Sequence, residues 1–320
     1  MIREIPAREL NADWFVAQKV REITATVGDE HAINALSGGI DSAVVTMLGH
    51  LALGKRLKTV FIENGLMREG EAAEVVRTFH QLGVPVEVVD AREEFFQALR
   101  GVIDPEEKRE AITQTFYRNV FCRVLRQSRA RFLLQGTILT DIDETVAGIK
   151  RQHNVLAQLG IDPHEAFGYH IVEPLIQLRK QAVRKLGKAL ELPTEVFDRI
   201  PFPGPALSAR VIGEVTPERI EVIRKATAIV ERTLKGTAAF QYLAVLHGDR
   251  VTGVRDGRRD FGHQIEIRCW DSLDARVASP TRLPFDVLDA LAQEIASCVP
   301  GVVSVTYNIT PKPPSTIEAV

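Results

Sequence analysis

The chain has 320 residues, 45% of them hydrophobic and 26% charged, and a formal net charge of −2. That is enough for two domains of ordinary globular composition, without a global field to draw the protein to nucleic acid or an anionic membrane. No apolar run approaches a bilayer span, and Met1-Ile2-Arg3-Glu4-Ile5-Pro6 has no apolar signal core. The three cysteines (Cys122, Cys269, Cys298) form no C-x-x-C, which argues against a zinc ribbon or disulfide framework and for a cytoplasmic location.

In chain order, Ala32-Ile33-Asn34-Ala35-Leu36 reads as a strand and Ala43 to Leu53 as an apolar helix. Between them lies Ser37-Gly38-Gly39-Ile40-Asp41-Ser42. Strand, glycine turn and helix start are the parts of a phosphate-binding loop. Adjacent glycines let backbone N–H groups close on an anion, and the helix N-terminus adds the positive end of its dipole. Ser37 and Ser42 add hydroxyl donors. Asp41 would repel a phosphate unless a divalent cation stood between them, so the loop points to a metal–polyphosphate complex with Asp41 facing the metal. No G-x-x-x-x-G-K-[ST] occurs, which excludes the Walker type.

Leu57 to Ile62 is a buried strand running into Glu63-Asn64-Gly65, and Glu71 to Leu82 has helical spacing. Val84 to Val89 is a third strand, Pro105 to Arg129 reads as one long helix, and Arg131 to Leu134 is a strand leading into Gln135-Gly136-Thr137. This alternation predicts an α/β fold, a parallel sheet with helices on both faces, in which ligands bind beyond the carboxyl ends of the strands. The Ser37, Glu63 and Gln135 loops all fall there. Leu139 to His170 is polar, with Asp141, Asp143, Glu144, Lys150, Arg151 and His153, and is expected to be a flexible loop or lid. An apolar pattern resumes at Ile171 to Leu175, followed by a helix to Leu190.

Pro201-Phe202-Pro203-Gly204-Pro205 is a stiff linker, and it places the expected domain boundary between residues 1–200 and 201–320. Thr216-Pro217-Glu218 is an N-cap with proline at N1, opening a helix to about Leu234. Strands follow at Gln241 to His247 and His263 to Cys269, then a helix at Phe285 to Ser297 and a strand at Val302 to Ile309. The α-β-β-α-β order implies a separate small α+β domain. The proline-rich end, Pro311 to Glu318, has the rigidity of a docked segment.

The six-residue loop resembles the SGGxDS loop of the ATP pyrophosphatases, which cleave ATP between the α and β phosphates and hold the departing pyrophosphate. The chain as a whole is similar to the synthetase part of the GMP synthase family: an ATP-pyrophosphatase domain of the adenine nucleotide alpha hydrolase-like kind, then a dimerisation domain. The matching stretches are Ala35 to Ser42, Val60 to Leu66, Asp104 to Arg109, Gln135 to Thr137, Ile149-Lys150 with His153-Asn154-Val155, Val172 to Leu175, Pro201 to Pro205 and Lys312 to Glu318. The glutamine amidotransferase domain that the family often carries upstream is not in this sequence; stand-alone synthetase subunits occur in the family. The resemblance implies a carbon–nitrogen ligase of purine nucleotide biosynthesis. ATP adenylylates the C2 oxygen of xanthosine monophosphate with release of pyrophosphate, ammonia attacks C2, and AMP leaves to give GMP. It further implies ATP and Mg2+, a separate glutamine amidotransferase subunit and a homodimer, with no membrane or nucleic-acid partner.

Carried over residue by residue, the resemblance implies that Ser37, Gly38, Gly39, Ile40, Asp41 and Ser42, with Glu63 and Gly136, bind ATP and pyrophosphate, Asp41 also facing Mg2+. It implies catalytic roles for Asp141, Glu144, Lys150 and His153, and acceptor binding by Arg109, Gln241, Arg258, Lys312, Ile317 and Glu318. The chain also departs from the family. Gln152 stands where the lid has the first of two adjacent histidines, Glu63 stands where the family has aspartate, and the end reads Thr316-Ile317-Glu318-Ala319-Val320 in place of T-I-E-W-E. These departures leave open a divergent member with a different acceptor. An RNA-thiolating enzyme is disfavoured by the missing C-x-x-C and the absence of net basicity, and a KH-type module by the absence of a G-x-x-G clamp in the C-terminal domain.

Overall fold

A computed structural model of the chain describes residues 2–146, 169–197, 202–273 and 275–319. The elements used below are α1 (Ala12–Val27), β1 (Ala32–Ala35), α2 (Ile40–Leu53), β2 (Leu57–Glu63), α3 (Glu71–Gln81), β3 (Val86–Asp90), α4 (Arg92–Leu99), α5 (Pro105–Gln114), α6 (Cys122–Ser128), β4 (Phe132–Leu134), α7 (Leu139–Val146), β5 (His170–Val172) and α8 (Lys180–Ala189). After Thr194–Phe197 (α9) come α10 (Pro217–Leu234), β6 (Gln241–Arg255), β7 (Arg258–Asp271), β8 (Ser279–Pro280), α11 (Phe285–Cys298) and β9 (Val302–Tyr307). The chain packs as two compact units: Met1–Glu63, Glu71–Ala91 and Phe116–Arg199 in one, Asn64–Gly70, Arg92–Thr115 and Ile200–Val320 in the other.

The first unit is built on a five-stranded sheet in the order β3-β2-β1-β4-β5. Every neighbouring pair is parallel, as the strand–helix alternation predicts. Ala32, Ile33, Val60, Phe61 and Ile62 are buried, the near-continuous apolar pattern of strands covered on both faces. The helix α2 is apolar all round and packs against α1 and α8. The helix α1 is an element that the sequence patterns did not single out. Asn11 caps it, its Oδ1 accepting from Trp14 N–H at 3.1 Å, and Phe15, Ile23 and Val27 bury one face. Strand order reverses between β1 and β4, so the loops that leave these two strands flank the topological switch point where such sheets take ligands.

Two expectations change in form. The long helix from Pro105 is not uniform: α5 gives way to a π-helical stretch over Thr115–Phe121 before α6 resumes the α-helix. The start of the expected flexible segment is the helix α7, and the expected lid beyond it lies outside the described residues.

In the second unit, β6 and β7 form one long antiparallel hairpin, paired from Gln241↔Trp270 to Arg255↔Arg258. The two strands expected at its base are parts of this longer ladder. Its turn is Asp256-Gly257, both at positive φ (50° and 72°), the backbone that closes a two-residue hairpin turn. β8 pairs antiparallel and β9 parallel with β7, and α10 and α11 pack on β6 and β9. Thr216 caps α10 with Pro217 at N1, as read from the sequence. The segment Arg92–Thr115 is tied into this unit by Lys108, a buried lysine whose Nζ donates to the carbonyl of Val211 at 2.8 Å. Burial, with the nearby charge of Arg219, pulls its amine down to about 8. Among the described residues no helix is long and apolar enough to cross a membrane.

A polar network crosses the hairpin. Glu266 lies 2.8 Å from His247 Nε2 and accepts from Arg268 Nε at 2.5 Å and Asn308 Nδ2 at 3.0 Å. Burial by itself would raise the Glu266 carboxyl. The hydrogen bonds from His247 and Asn308 and the charge of Arg268 outweigh it and hold the group at about 2. This stabilisation is fully present above the unfolded value near 4.5 and disappears as pH falls through about 2. Replacement Glu266→Gln is therefore expected to cost roughly 3 kcal/mol near neutral pH. Urea unfolding of both proteins from about pH 6 to about pH 3 checks this. The gap must narrow steadily as the solution is acidified; a gap that stays constant refutes the assignment.

Candidate active site

The Ser37–Ser42 loop is held by its own hydroxyls. Ser37 Oγ and Ser42 Oγ lie 2.9 Å apart, Ser42 Oγ donates to the Gly39 carbonyl at 2.9 Å, and Ser37 N–H donates back to Ser42 Oγ at 3.2 Å. Gly38 takes φ +79°, the left-handed region open to glycine. The N-cap of α2 is Gly39, which offers no side-chain oxygen, so an anion can take the place of a capping group.

Behind the loop runs a chain of buried polar groups. Thr59 Oγ1 on β2 donates to Asn34 Oδ1 at 2.8 Å, Asn34 Nδ2 donates to Thr46 Oγ1 at 2.6 Å, and Thr46 Oγ1 donates to the Ser42 carbonyl at 2.8 Å. All three side chains are buried, where an unmade hydrogen bond would be costly. The chain ties two strands to the first turn of α2. Sequence reasoning missed it; the available signal was Asn34, a polar residue inside an apolar strand.

Asp41 sits in the loop with Oδ2 accepting from Lys180 Nζ at 2.6 Å. Lys180, the first residue of α8, did not figure among the candidate residues. The charge conflict that Asp41 posed is thus met within the protein by a lysine. Lys180 keeps nearly half of its side chain in solvent (46%), so it can turn to an incoming anion. Among the described residues no three His, Cys, Asp or Glu side chains gather as a metal cage. One carboxylate beside an anion loop still suits Mg2+, which binds through one or two carboxylates with phosphate oxygens and water as its other ligands.

The Gln135–Thr137 loop closes on the same place. A Cβ on Gly136 would stand 3.2 Å from the Asp41 carbonyl carbon and 3.3 Å from Ser42 N, so the two backbones touch here. Thr137 is buried, and its Oγ1 has no hydrogen-bond partner among the described residues. Asp141 caps its own helix: Oδ2 accepts from Ile138 N–H at 2.9 Å. Its neighbour Asp143 pairs with Arg179 at 2.7 Å, and Arg179 also meets Glu4 at 3.0 Å. Hydrogen bonds to Glu4 and Asp143 raise the Arg179 guanidinium above its ordinary value. Glu63 ends β2 opposite Asp90 in the register with β3. Lys150, Gln152 and His153 lie outside the described residues, as does the side chain of Glu144.

In the second unit, Gln241 and Glu318 come together, Gln241 Nε2 donating to Glu318 Oε1 at 2.8 Å. Arg268 Nη1 donates to the carbonyls of Thr316, Ile317 and Glu318 at 3.0, 3.5 and 3.2 Å. The side chain of Ile317 is buried in an apolar cluster with Leu243, Val245, Trp270 and Ala278, which makes it an anchor for the C-terminal segment. Lys312 exchanges backbone hydrogen bonds with Ala278, and its Nζ donates to the Ala275 carbonyl at 2.8 Å. Arg109 lines a small cleft with Pro105, Lys108, Pro205, Ser208 and Ala209. Arg258 does not join Gln241: it begins β7 at the tip of the hairpin, while Gln241 begins β6 at its base, roughly 45 Å along the ladder at about 3.3 Å per residue.

The family profile described as "GMP synthase C terminal domain" matches residues 229–319, and the one described as "NAD synthase" matches residues 12–205. The chain is 45% identical to a subunit of GMP synthase [glutamine-hydrolyzing] from Archaeoglobus fulgidus, over 97% of this chain and 99% of that one. It is 46% identical to the subunit of the same name from Pyrococcus horikoshii, over 96% and 99%. Among solved structures it is similar to NMN synthetase from Francisella tularensis, at 17% identity and a TM-score of 0.47, over 62% of this chain and 78% of that one.

The contact at Gly136 is open to test. Gly136→Ala forces a methyl group against backbone that cannot turn aside, an overpacking worth about 1–3 kcal/mol. The expected result is a rise of about tenfold in the KM for ATP, measured by pyrophosphate release. An unchanged KM would show that the two loops need not touch.

Proposed function

The chain belongs to the GMP synthase family of carbon–nitrogen ligases, and from that premise we propose that it aminates xanthosine monophosphate to GMP in the cytoplasm, using ATP and ammonia. The observation that carries this reading is the likeness to relatives of that name across nearly the whole chain. The switch-point geometry of the phosphate loop supports its ATP half. In this reading residues 1–200 perform the ATP chemistry and contribute Arg109 to the acceptor, and residues 201–320 serve the acceptor and self-association.

ATP binds with its β and γ phosphates at Ser37, Gly38, Gly39, Ile40 and Ser42, beside Glu63 and Gly136. The C2 oxygen of the acceptor attacks the α-phosphorus, the bond to the bridging oxygen breaks, and pyrophosphate leaves into the loop. Lys180 turns from Asp41 to the departing anion, adding charge where it accumulates. Asp41 would hold a Mg2+ ion that comes with the nucleotide; such an ion neutralises charge on the leaving pyrophosphate. Ammonia then adds its lone pair to C2 and loses a proton, and AMP departs with the electrons of the C2–O bond. Lys150 and His153 act in adenylylation, with Asp141 and Glu144 as the acids of the same site.

Gln241 and Glu318 take the base or ribose of the acceptor, Arg109 and Lys312 its phosphate, and Ile317 fixes the segment that carries Glu318. A part for Arg258 requires a second copy of the chain, given its place on the hairpin. A separate glutamine amidotransferase subunit supplies the ammonia.

The test is release of AMP and pyrophosphate from ATP and Mg2+, dependent on xanthosine monophosphate. The isolated chain is expected to turn over with ammonium and not with glutamine. Lys150→Met should remove nearly all of this activity, and Gln152→His should be neutral or raise it. No acceptor-dependent release in any variant would overturn the reading in favour of a different acceptor.

The second unit exposes Val254 and Phe261 near the hairpin tip, and Val277, Phe285 and Ile309 elsewhere. We expect it to form a homodimer through residues beyond Pro205. Light scattering at micromolar concentration checks this, and a monomer would refute it.

A further inference from the structure

We propose that Arg210 is a positioning residue for Glu318: its buried guanidinium holds the carboxylate in the one orientation that the acceptor meets. This rests on the reading of Glu318 as an acceptor-binding group.

Arg210 ends the 3-10 turn Ala206–Arg210, and its side chain has no exposed surface. A guanidinium out of water must be compensated by opposite charge. Glu318 Oε2 lies 3.5 Å from Arg210 Nε, and Glu231 Oε1 lies 3.8 Å from Nη1. Phe202 stacks beneath, its ring centre 4.9 Å from the guanidinium carbon. Burial pulls the proton affinity of Arg210 down, and the charges of Glu318 and Glu231 offset part of this.

The contacts assign the pairing. Glu231 already accepts from Arg68 Nε at 2.9 Å, and Phe202 stacks under Arg68 as well, at 3.8 Å. Glu318 Oε1 is taken by Gln241 at 2.8 Å. Glu318 Oε2 remains, buried and without a hydrogen bond among the described residues, and Arg210 is the cation that faces it. The two arginines and two glutamates cancel in formal charge, which argues against a phosphate site and for a fixed internal frame. The backbone of Glu318 is set separately, by Arg268 on the carbonyls of Thr316, Ile317 and Glu318. Only the side-chain torsions of Glu318 are left to fix, and Gln241 and Arg210 fix them from its two oxygens. An acceptor then meets a carboxylate whose orientation is already set, so less freedom is lost on binding.

The experiment is a double-mutant cycle on the full chain with ammonium as nitrogen source, following the KM for xanthosine monophosphate and the KM for ATP. Arg210→Met and Glu318→Gln are each expected to raise the acceptor KM at least about tenfold, with the ATP KM within about twofold. The double variant should be no worse than Glu318→Gln alone, because both changes break one interaction. Arg210→Lys keeps the charge but on a smaller head that cannot stand in the same place, and should fall between Arg210→Met and the parent. If Arg210→Met fails to fold, the cycle is run with Arg210→Lys. Additive effects, or an acceptor KM that moves for Glu318→Gln and not for the Arg210 variants, would overturn the inference while leaving Glu318 in the acceptor site. An acceptor KM unmoved by Glu318→Gln would overturn the reading of Glu318 itself, and the inference with it.

Discussion

The parallel-sheet unit of this protein depends on one close approach: the backbone of Gly136 resting on the backbone of Asp41 and Ser42. It occurs where strand order reverses, so the loops after β1 and β4 share one spot with no intervening strand. The hydroxyl bonds of Ser37 and Ser42 and the buried Thr59–Asn34–Thr46 chain serve to keep one side of that contact rigid. A loop so constrained holds its N–H groups ready before a ligand arrives, which is the physical content of preorganisation.

What could be read in the sequence was local. The strand, glycine turn and apolar helix around Ser37 are adjacent in the chain, and each carries its own pattern, so the loop and its sheet were legible. The Thr216-Pro217 cap was legible for the same reason. The Asp256-Gly257 turn is an equally local hairpin signal, yet the ladder was read only at its base, because the polar residues of the tip resemble a loop. Lys180 was not legible: it meets Asp41 across 139 residues of chain. Asn34 stood out as polar, but its function depends on the register that brings Thr59 beside it. The lid expectations concern residues outside those described, and Arg258 shows the limit of transferring single positions, since its place is set by hairpin length.

The second unit is organised differently. Its hairpin and helices supply an apolar core, and ionic groups are threaded through it: Glu266 with Arg268, Glu231 with Arg68 and Arg210. Buried ion pairs of this kind add little net stability compared with apolar packing, but they specify geometry, since each oxygen accepts only from a donor in the right direction. The C-terminal segment shows the result. Its apolar anchor is Ile317, its backbone is set by Arg268, and its one carboxylate is met from both sides.

The pairing of Asp41 with Lys180 bears on which anions the loop retains. A simple phosphate must compete with a carboxylate for the lysine placed there, and it leaves that carboxylate facing it uncompensated. A polyphosphate that arrived with its own divalent ion would bring Asp41 a substitute for the lysine it gives up. On the proposed function, the pair would act as a threshold against small anions, since a ligand must offer Asp41 a replacement for Lys180 before the lysine is released to it.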